Sequence, residues 1–301
     1  PRIILTGFMG TPDSLVVRLE RKGCVVYPVR SLPKLIMEHH ADSIGANAVI
    51  NMAHGRLGDM VVGYLNRANM PMFAPVNVNT SYDEWSGDKM GMSGGFLSQS
   101  VVTPEFDGAL RPYALFANYE GSDGIPYLEA IPDRLDAFVE TVDNYLALQR
   151  MRNSEKKIAI VYLKGPGQNS MVAEGMDVGP SLYNLLKRMK AEGYNVGSLP
   201  EDAASFERMI NENGRVFNEY ALGAREDFVK HNNPEIITRE QYSKWSQMAL
   251  PKKLREQADS VDGSFPGHGL SDDKGNLALA RLIFGNVALI PQTPAGLGDD
   301  Q

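Results

Sequence analysis

Short apolar runs alternate with helical patterns from the start of the chain. Runs typical of buried strands occupy residues 3–6, 24–29, 47–52 and 72–76. Between them, apolar residues at helical spacing predict helices over residues 12–22, 32–40 and 56–68. Strands that alternate with helices in this way form mostly parallel sheets covered by helices. The first half of the chain is therefore predicted to be an α/β domain.

The alternation stops at residues 77–118. Gly, Ser, Asn and Asp accumulate there, for example in Ser86-Gly87-Asp88 and Met92-Ser93-Gly94-Gly95. Neither a helical nor a strand period is visible. A long segment without regular structure inside a compact domain is usually functional or mobile. We therefore predict an irregular insertion over residues 77–118.

A long helix closes the first half. Apolar residues from Leu135 to Leu148 recur at helical spacing and predict a helix over residues 131–152. A polar patch follows at residues 152–156. Polar segments of this kind often separate domains, so we place the boundary after residue 152.

The same rhythm restarts in the second half. It predicts strands at residues 158–162, 194–199 and 287–291, and helices at residues 180–192, 201–213 and 239–257. We therefore expect two domains, residues 1–152 and 153–301. The fold class is α/β, as two Rossmann-like or flavodoxin-like α/β/α units with mostly parallel sheets.

Composition narrows the possible partners. The formal net charge of −7 argues against a nucleic-acid surface, because such surfaces need clustered Lys and Arg. The single cysteine, Cys24, cannot form an internal disulfide and lies in a run typical of a buried strand, which indicates a reducing compartment. No apolar stretch reaches the length of about 20 residues that a membrane span needs. We expect a cytoplasmic protein.

Two glycine-containing loops resemble cofactor loops only in part. Gly165-Pro166-Gly167 lies between a predicted strand and a predicted helix, but the Gly-Lys-Ser/Thr ending of a phosphate loop is absent. Gly7 and Gly10 follow the first strand without the third spaced glycine of a dinucleotide fingerprint. We therefore predict that this chain binds no nucleotide.

His54 is the first candidate for chemistry. The segment Ile50-Asn51-Met52-Ala53-His54-Gly55-Arg56 places His54, with Arg56 beside it, just past the carboxyl end of a predicted strand. Open α/β sheets bind ligands at that edge. An imidazole there can ligate a metal or move a proton; the alternative is a loop histidine whose hydrogen bonds are satisfied by its neighbours.

Glu105 and Asp107 are the second candidates. In an extended backbone, side chains two residues apart share one face, where two carboxylates can attract a metal or relay protons. The alternative is a turn in which Asp107 caps Gly108.

His268 is the third candidate, because the glycines of Pro266-Gly267-His268-Gly269 let a flat ligand approach closely. The alternative is a tight turn. No pair among the histidines, including the adjacent His39 and His40, has the local spacing of a zinc site.

Several segments, most of them in the second half of the chain, resemble a known protein family. The segments at residues 156–162, 165–169 and 180–197 resemble the large subunit of cobaltochelatase and of magnesium-protoporphyrin chelatase. Residues 71–78, Trp85 and residues 102–108 resemble the preceding domain of that family. Residues 284–287 and 291–296 resemble the segment after it, so the resemblance covers most of residues 48–298.

The resemblance implies a function. Large subunits of this family bind a tetrapyrrole, a porphyrin or corrin, and a divalent metal, cobalt or magnesium, while separate AAA-type ATPase subunits drive insertion. We expect the residues of metal insertion to lie beyond Gln301, and His54, Arg56, Glu105, Asp107 and His268 to be candidates for contact with the ring or the metal. Two alternatives stay open: a haem iron-removing relative, and a non-catalytic module that docks the ATPase.

Overall fold

The computed structural model describes residues 1–8, 12–164, 172–173, 175–217 and 222–292. By its internal contacts the chain divides into two compact units, Pro1–Arg150 and Met151–Gln301. Both units are built from helices and strands, and the first contains an all-parallel sheet. The predicted α/β class is confirmed.

The first unit contains eight strands and eight α-helices in its described part. Its strands are β1 (Arg2–Thr6), β2 (Val25–Val29), β3 (Ala48–Asn51), β4 (Met72–Phe73), β5 (Val76–Ser81), β6 (Ala109–Leu110), β7 (Ala114–Glu120) and β8 (Pro126–Ala130). Its helices are α1 (Asp13–Arg21), α2 (Leu32–Met37), α3 (Ala41–Ile44), α4 (Asp59–Ala68), α5 (Tyr82–Gly87), α6 (Gly94–Leu97), α7 (Thr103–Glu105) and α8 (Pro132–Arg150). A π-helical turn, Ser98–Val102, joins α6 to α7.

The main sheet of the first unit has the order β2-β1-β3-β4-β6, and all of its pairs are parallel. Alternate residues of β1 face opposite sides, so Ile3 and Leu5 pack in the core that includes α1 and α8. Ile4 packs on the other face, in the core formed with α2 and α4. Burial on both faces explains why these strands appear in the sequence as unbroken apolar runs.

The prediction of an irregular insertion over residues 77–118 is wrong. The segment contains most of β5, all of β6 and most of β7, with four short helical pieces between them. β5 pairs in parallel with β7, and β7 pairs antiparallel with β8, in a second sheet of three strands. Only the start of β5 is buried, and Asn79 and Thr80 are exposed, so no clear apolar period marks this strand in the sequence.

Two helix ends of the first unit also differ from the prediction. α2 ends at Met37, and His39 takes a left-handed conformation with φ 57°. α4 begins at Asp59, after Gly58 with φ 94°, and not at residue 56. Cys24 is buried as predicted, one residue before β2.

The described part of the second unit has seven strands and five α-helices. Its strands are β9 (Ile158–Tyr162), β10 (Val172–Ala173), β11 (Met176–Asp177), β12 (Glu235–Ile237), β13 (Leu277–Leu279), β14 (Leu282–Phe284) and β15 (Val287–Pro291). Its helices are α9 (Val178–Ala191), α10 (Ala203–Asn213), α11 (Leu222–His231), α12 (Arg239–Ala249) and α13 (Lys252–Asp262).

The central sheet of the second unit is mixed. β9 pairs in parallel with β15, and β15 pairs antiparallel with β14. The expectation of a mostly parallel sheet is therefore wrong for the described part of this unit, because the hairpin Leu282–Pro291 places an antiparallel strand at its edge. Leu186 of α9 and Phe206 of α10 pack in the core beside this sheet.

Two predicted elements of the second unit are corrected. Residues 194–199 form no strand, although Val196 is buried. The segment runs past the β14–β15 turn, and Asn286 donates one backbone hydrogen bond to Asn195 at 2.8 Å. The helix predicted over residues 239–257 is two helices, because Pro251 lacks the N–H that a continuous helix needs.

No helix in the described segments of either unit is long and apolar enough to cross a membrane. The Gly165-Pro166-Gly167 loop and Gly10 lie outside the described residues.

Candidate functional site

The order of the main sheet marks one edge of the first unit. The chain runs from β1 to β2 on one side and then returns to β3 on the other side of β1. Connections that leave two neighbouring strands in opposite directions open a crevice at the carboxyl ends of those strands. Thr6 and Asn51 end β1 and β3 at this edge, and His54 lies just beyond Asn51. We call this edge the β1/β3 crevice.

His54 has one polar partner and one aromatic partner. Its Nδ1 lies 3.0 Å from the Oγ of Ser100, and its ring centroid lies 5.7 Å from that of Phe96. His54 is exposed, whereas Ser100 is only 6% exposed. The imidazole is therefore held by a buried hydroxyl on one side and is open to ligands on the other.

The π-helical turn brings Ser100 to this position. A π-helix is rare and usually appears as a single turn at functional sites. The Gly55 N–H donates to the carbonyl oxygen of Gln99 at 2.8 Å, next to the contact between His54 and Ser100. Two adjacent hydrogen bonds thus fix the loop after β3 against the π-helical turn.

The floor of the crevice is closely packed. Gly7 has φ 68°, and a Cβ at this position would overlap the backbone nitrogen and the Cβ of Ala53. Asn51 is 1% exposed, and its Oδ1 accepts the Ala53 N–H at 3.0 Å. Its Nδ2 has no hydrogen-bond partner among the described residues. A buried donor without a partner is uncommon, and here it lies at the edge where a ligand is expected.

The buried Asp107 and the exposed Arg56 form an ion pair beside the crevice. Asp107 is 3% exposed, and its carboxylate accepts the Leu57 N–H at 2.5 Å, the Gly58 N–H at 3.3 Å and Arg56 Nε at 2.8 Å. The hydrogen bonds that Arg56 donates to the carboxylates of Asp107 and Asp59 raise the pKa of Arg56. Asp107 therefore fixes the loop that precedes α4 from a distant point in the sequence.

Glu105 and Asp107 do not share a face, because the extended backbone that this arrangement requires is not formed. Glu105 ends the short helix α7, and Phe106 is also helical, with φ −63° and ψ −23°. Because the backbone is helical and not extended, Glu105 is exposed while Asp107 points inward. A role for either residue in ring or metal contact stays a prediction.

His268 lies in the second unit. It is exposed, and its backbone carbonyl accepts a hydrogen bond from Arg225 Nη2 at 3.2 Å. Across the described segments no group of three or more His, Cys, Asp or Glu side chains could hold a metal ion. Within the first unit, the structure brings His54, Arg56 and Asp107 to the same loop region.

Sequence reasoning missed Ser100, Phe96 and Asn51. Asn51 left a signal, since it is a polar residue at the end of an apolar run at a sheet edge. Ser100 and Phe96 left none, because they lie in the segment whose short elements have no readable period.

A second polar group that the sequence analysis missed lies at the carboxyl end of β9. Lys164 is 5% exposed, and its Nζ donates to Asn211 Oδ1 at 3.0 Å. Burial, and secondarily the charge of Arg215, lowers the pKa of Lys164. The nearby Tyr162 hydroxyl is buried without a hydrogen-bond partner among the described residues, and burial raises the pKa of Tyr162.

A comparison with models of protein families identifies the family of this chain. The model of the family described as CobN/Magnesium Chelatase matches residues 2–301. The chain belongs to this family. The match covers both units, so the resemblance found in the sequence is confirmed.

Over the segments that align, similar proteins are about a quarter identical to the chain. An uncharacterized protein of Methanocaldococcus jannaschii is 28% identical over 249 residues, which cover 79% of the chain and 19% of that protein. A magnesium-chelatase subunit of Chlorobaculum parvum is 27% identical over 224 residues, 73% of the chain and 16% of that relative. The chain thus spans about a fifth or less of the length of these relatives.

One solved structure shares the fold over the whole chain. The catalytic subunit of cobaltochelatase from Mycobacterium tuberculosis superposes with a TM-score of 0.78 and 22% identity, covering 100% of the chain and 26% of that protein. At 22% identity, this similarity shows that the chain shares the fold of that protein and shows nothing about its function.

Proposed function

We propose that this chain is a segment of the large subunit of a tetrapyrrole metal chelatase. The observation that carries the proposal is the family match over residues 2–301. Relatives named as a magnesium-chelatase subunit and as the CobN subunit of aerobic cobaltochelatase support it. The substrates would be a porphyrin or corrin ring and a divalent ion, cobalt or magnesium, and separate AAA-type ATPase subunits would drive insertion.

The chemistry of insertion sets requirements that this segment meets in part. A metal that enters the ring displaces two pyrrole protons, which an adjacent basic group must accept. The exposed imidazole of His54 in the β1/β3 crevice is such a group. We place the remaining residues of metal insertion outside the 301 residues.

The experiment uses the full polypeptide that contains this chain. We expect metal-free porphyrin or corrin to bind with a saturable shift in its absorption spectrum. We expect cobalt or magnesium to enter the ring only when the ATPase subunits and ATP are added. A fluorescence assay of the ring follows both steps.

Other outcomes would replace the proposal. Release of iron from haem, without insertion of cobalt or magnesium, would make the protein a haem iron-removing relative. Retained binding of the ATPase subunits with no spectral shift for any ring would make the segment part of a scaffold.

A further inference from the structure

Three tyrosines form a stack on the second sheet of the first unit. Tyr119 of β7 and Tyr127 of β8 pair directly across the two strands, and their ring centroids lie 6.0 Å apart. The ring of Tyr82, the first residue of α5, stacks on Tyr119 with centroids 5.3 Å apart. Tyr127 is the last ring of this tyrosine stack and is 50% exposed. The stack therefore ends in a ring that is open to a partner.

The rings beside the stack already carry cations. The guanidinium carbon of Arg134 lies 5.0 Å from the ring centroid of Trp85 and 4.1 Å from that of Tyr113. Arg111 lies 4.8 Å from the same Tyr113 centroid, and its φ of 58° is uncommon for a residue other than glycine. Arginine over an aromatic ring is a favourable cation–π contact. At this end of the aromatic cluster the chain supplies its own cations.

At the other end, carboxylates surround a ring that has no cation. Glu129 is two residues from Tyr127 along β8 and lies on the same face of the strand. Burial is the main cause that raises the pKa of Tyr119, and the charges of Glu129 and Asp133 add to it. Among the described residues, neither carboxylate pairs with Lys or Arg, and no cation lies over Tyr127. This end of the stack therefore favours a cation from outside.

The free edge of β8 is closed to an added strand. Because Ile125 and Ile131 bond toward β7, the backbone between them alternates. Pro126, Leu128 and Ala130 therefore face the free edge. Pro126 has no N–H, and the Ala130 N–H donates to a neighbouring carboxylate at 2.9 Å. One remaining donor does not support strand addition, so a partner binds here through side chains.

A cleft adjoins the stack. It has a volume of about 490 Å³, lies between α1 and the start of α8, and has Glu129 in its lining. Val17, Pro132 and Leu135 supply apolar lining. The charged residues of the lining are two acidic and two basic, so they cancel. The cleft is suited to an apolar side chain, whereas Tyr127 is suited to a cation.

We propose that the tyrosine stack and the cleft form a docking surface for a basic segment of a second protein, with an arginine of that segment over the ring of Tyr127. The arginine extends the series of cation–π contacts that Arg134 and Arg111 begin, and Glu129 pairs with its charge. An apolar neighbour in the same segment fills the cleft.

The charge of the chain selects this kind of partner. The formal net charge is −7, and the carboxylates near the stack carry no basic partner, so a second copy of the chain would be repelled. Arginine suits the site better than lysine because its planar guanidinium stacks on rings and binds carboxylates with two N–H groups. The inference does not depend on the proposed function, because it uses neither the ring nor the metal.

The test measures binding to the full polypeptide by fluorescence anisotropy. The probe is a labelled synthetic peptide of arginine, leucine and serine. One control peptide replaces each arginine with citrulline, which keeps the shape and removes the charge, and another replaces each leucine with serine.

The variants separate the ring from the charge. Tyr127→Ala removes the ring, Tyr127→Phe keeps it, and Glu129→Gln removes the charge. Trp245→Ala is the control for the ring, because Trp245 is also 50% exposed but lies in the second unit. Glu20→Gln is the control for the charge, because Glu20 is exposed and has no ion pair within the described segments.

We expect the arginine peptide to bind saturably and the citrulline peptide to bind more weakly. Tyr127→Ala should raise the Kd about threefold or more, while Tyr127→Phe changes it less than twofold, roughly. Glu129→Gln should raise the Kd roughly twofold or more, and this effect should fade at high salt. Trp245→Ala and Glu20→Gln should leave it unchanged.

Two further measurements test the rest of the surface. Val17→Trp fills the cleft, so it should weaken the peptide that contains leucine and leave the serine peptide unchanged. Nitration of tyrosines, read by mass spectrometry, should modify Tyr127 in the polypeptide alone, and the arginine peptide should protect it.

Four results would overturn the inference. They are the absence of saturable binding, equal binding of the citrulline peptide, an unchanged Kd in Tyr127→Ala, and equal weakening by Glu20→Gln and Glu129→Gln, which would make the effect one of net charge. Protection of Tyr127 from nitration without any peptide would also contradict it, because the rest of the polypeptide would then cover the stack. Porphyrin binding is measured separately, so neither result decides the other.

Discussion

Asp107 shows how one buried carboxylate organises the loop beside the candidate site. It accepts two backbone N–H groups and the Arg56 guanidinium, all within 3.3 Å. Hydrogen bonds to a charged, buried group are worth about 1.5–3 kcal/mol each and are costly to lose. Asp107 therefore contributes to the local stability of the segment that carries His54.

Replacing Asp107 with Asn tests this role. The amide places an NH₂ group where an oxygen accepted hydrogen bonds, so we expect a local destabilisation of about 2–3 kcal/mol. Amide hydrogen exchange at Leu57 and Gly58 measures it. Asp59→Asn is the control, because Asp59 is exposed and its carboxylate binds Arg56 alone among the residues that the structure describes; exchange at the two amides should stay unchanged.

Lys164 predicts a pH dependence of stability. Its pKa is lowered in the folded chain, so the unfolded chain binds the proton more readily. Below the pKa that Lys164 has in the folded chain, the buried side chain is charged and the fold is destabilised. This penalty decreases as the pH rises from that pKa and is gone above 10.5, the ordinary pKa of the lysine side chain. Lys164→Met removes the penalty at the cost of the Asn211 bond.

We expect Lys164→Met to raise the free energy of unfolding of the second unit at pH 7 by on the order of 1 kcal/mol. The gain should shrink as the pH approaches 10. Denaturant titrations at several pH values measure it, with the exposed Lys157→Met as control. A loss of stability at pH 7 would show that the Asn211 bond outweighs the buried charge.

At the scale of elements, the sequence predicted strands that form unbroken apolar runs and failed where the strand is very short or is interrupted by polar residues. β1, β3 and β9 were found because their apolar runs are unbroken or nearly so. β6 has only two residues, too few to show a period. The second sheet of the first unit was missed for the same kind of reason.

The residues of the candidate site also differ in whether the sequence predicted them. His54 was predicted because strand ends are visible in the sequence, and parallel sheets bind ligands there. Ser100 was not, because its contact with His54 depends on a π-helical turn and on a partner 46 positions away. Pairings of that range are set by tertiary packing and leave no local pattern.

Gly7 connects β1 to the crevice and gives a test at this scale. An added Cβ would meet the Ala53 backbone, and φ 68° disfavours any side chain. We expect Gly7→Ala to destabilise the contact between β1 and β3 by more than about 2 kcal/mol. Hydrogen exchange in segments 2–8 and 48–55 measures it.

Gly23→Ala is the matched control. Gly23 also has positive φ, at 80°, but nothing lies within 4 Å of its added Cβ. We expect it to cost only the backbone strain, about 1 kcal/mol. Equal effects of the two substitutions would mean that the close approach at Ala53 contributes nothing.

At the scale of the whole molecule, the fold is shared with a family member although only 22% of residues are identical. The family was recognisable from the sequence because segments of the second half resemble it. The two units were expected from the restart of the strand-helix rhythm at residue 158. The choice of metal and ring had no local signal.

The boundary proposed after residue 152 can be tested by expressing residues 1–152 alone. This unit buries its own core around Phe73, Phe138 and Leu146, so we expect cooperative unfolding by circular dichroism. Phe138→Ala should lower its stability by about 3–5 kcal/mol, because it leaves a cavity in that core. A non-cooperative transition in the unsubstituted piece would place the boundary elsewhere.

The function proposed for this segment depends on its belonging to a protein that binds a tetrapyrrole. An equilibrium titration of the full polypeptide with a metal-free porphyrin tests this dependence, followed by absorption and by quenching of porphyrin fluorescence. We expect a saturable change with one ring bound per polypeptide. A spectrum that stays that of the free porphyrin at every protein concentration, with a metal-free corrin equally unaffected, would contradict the proposal.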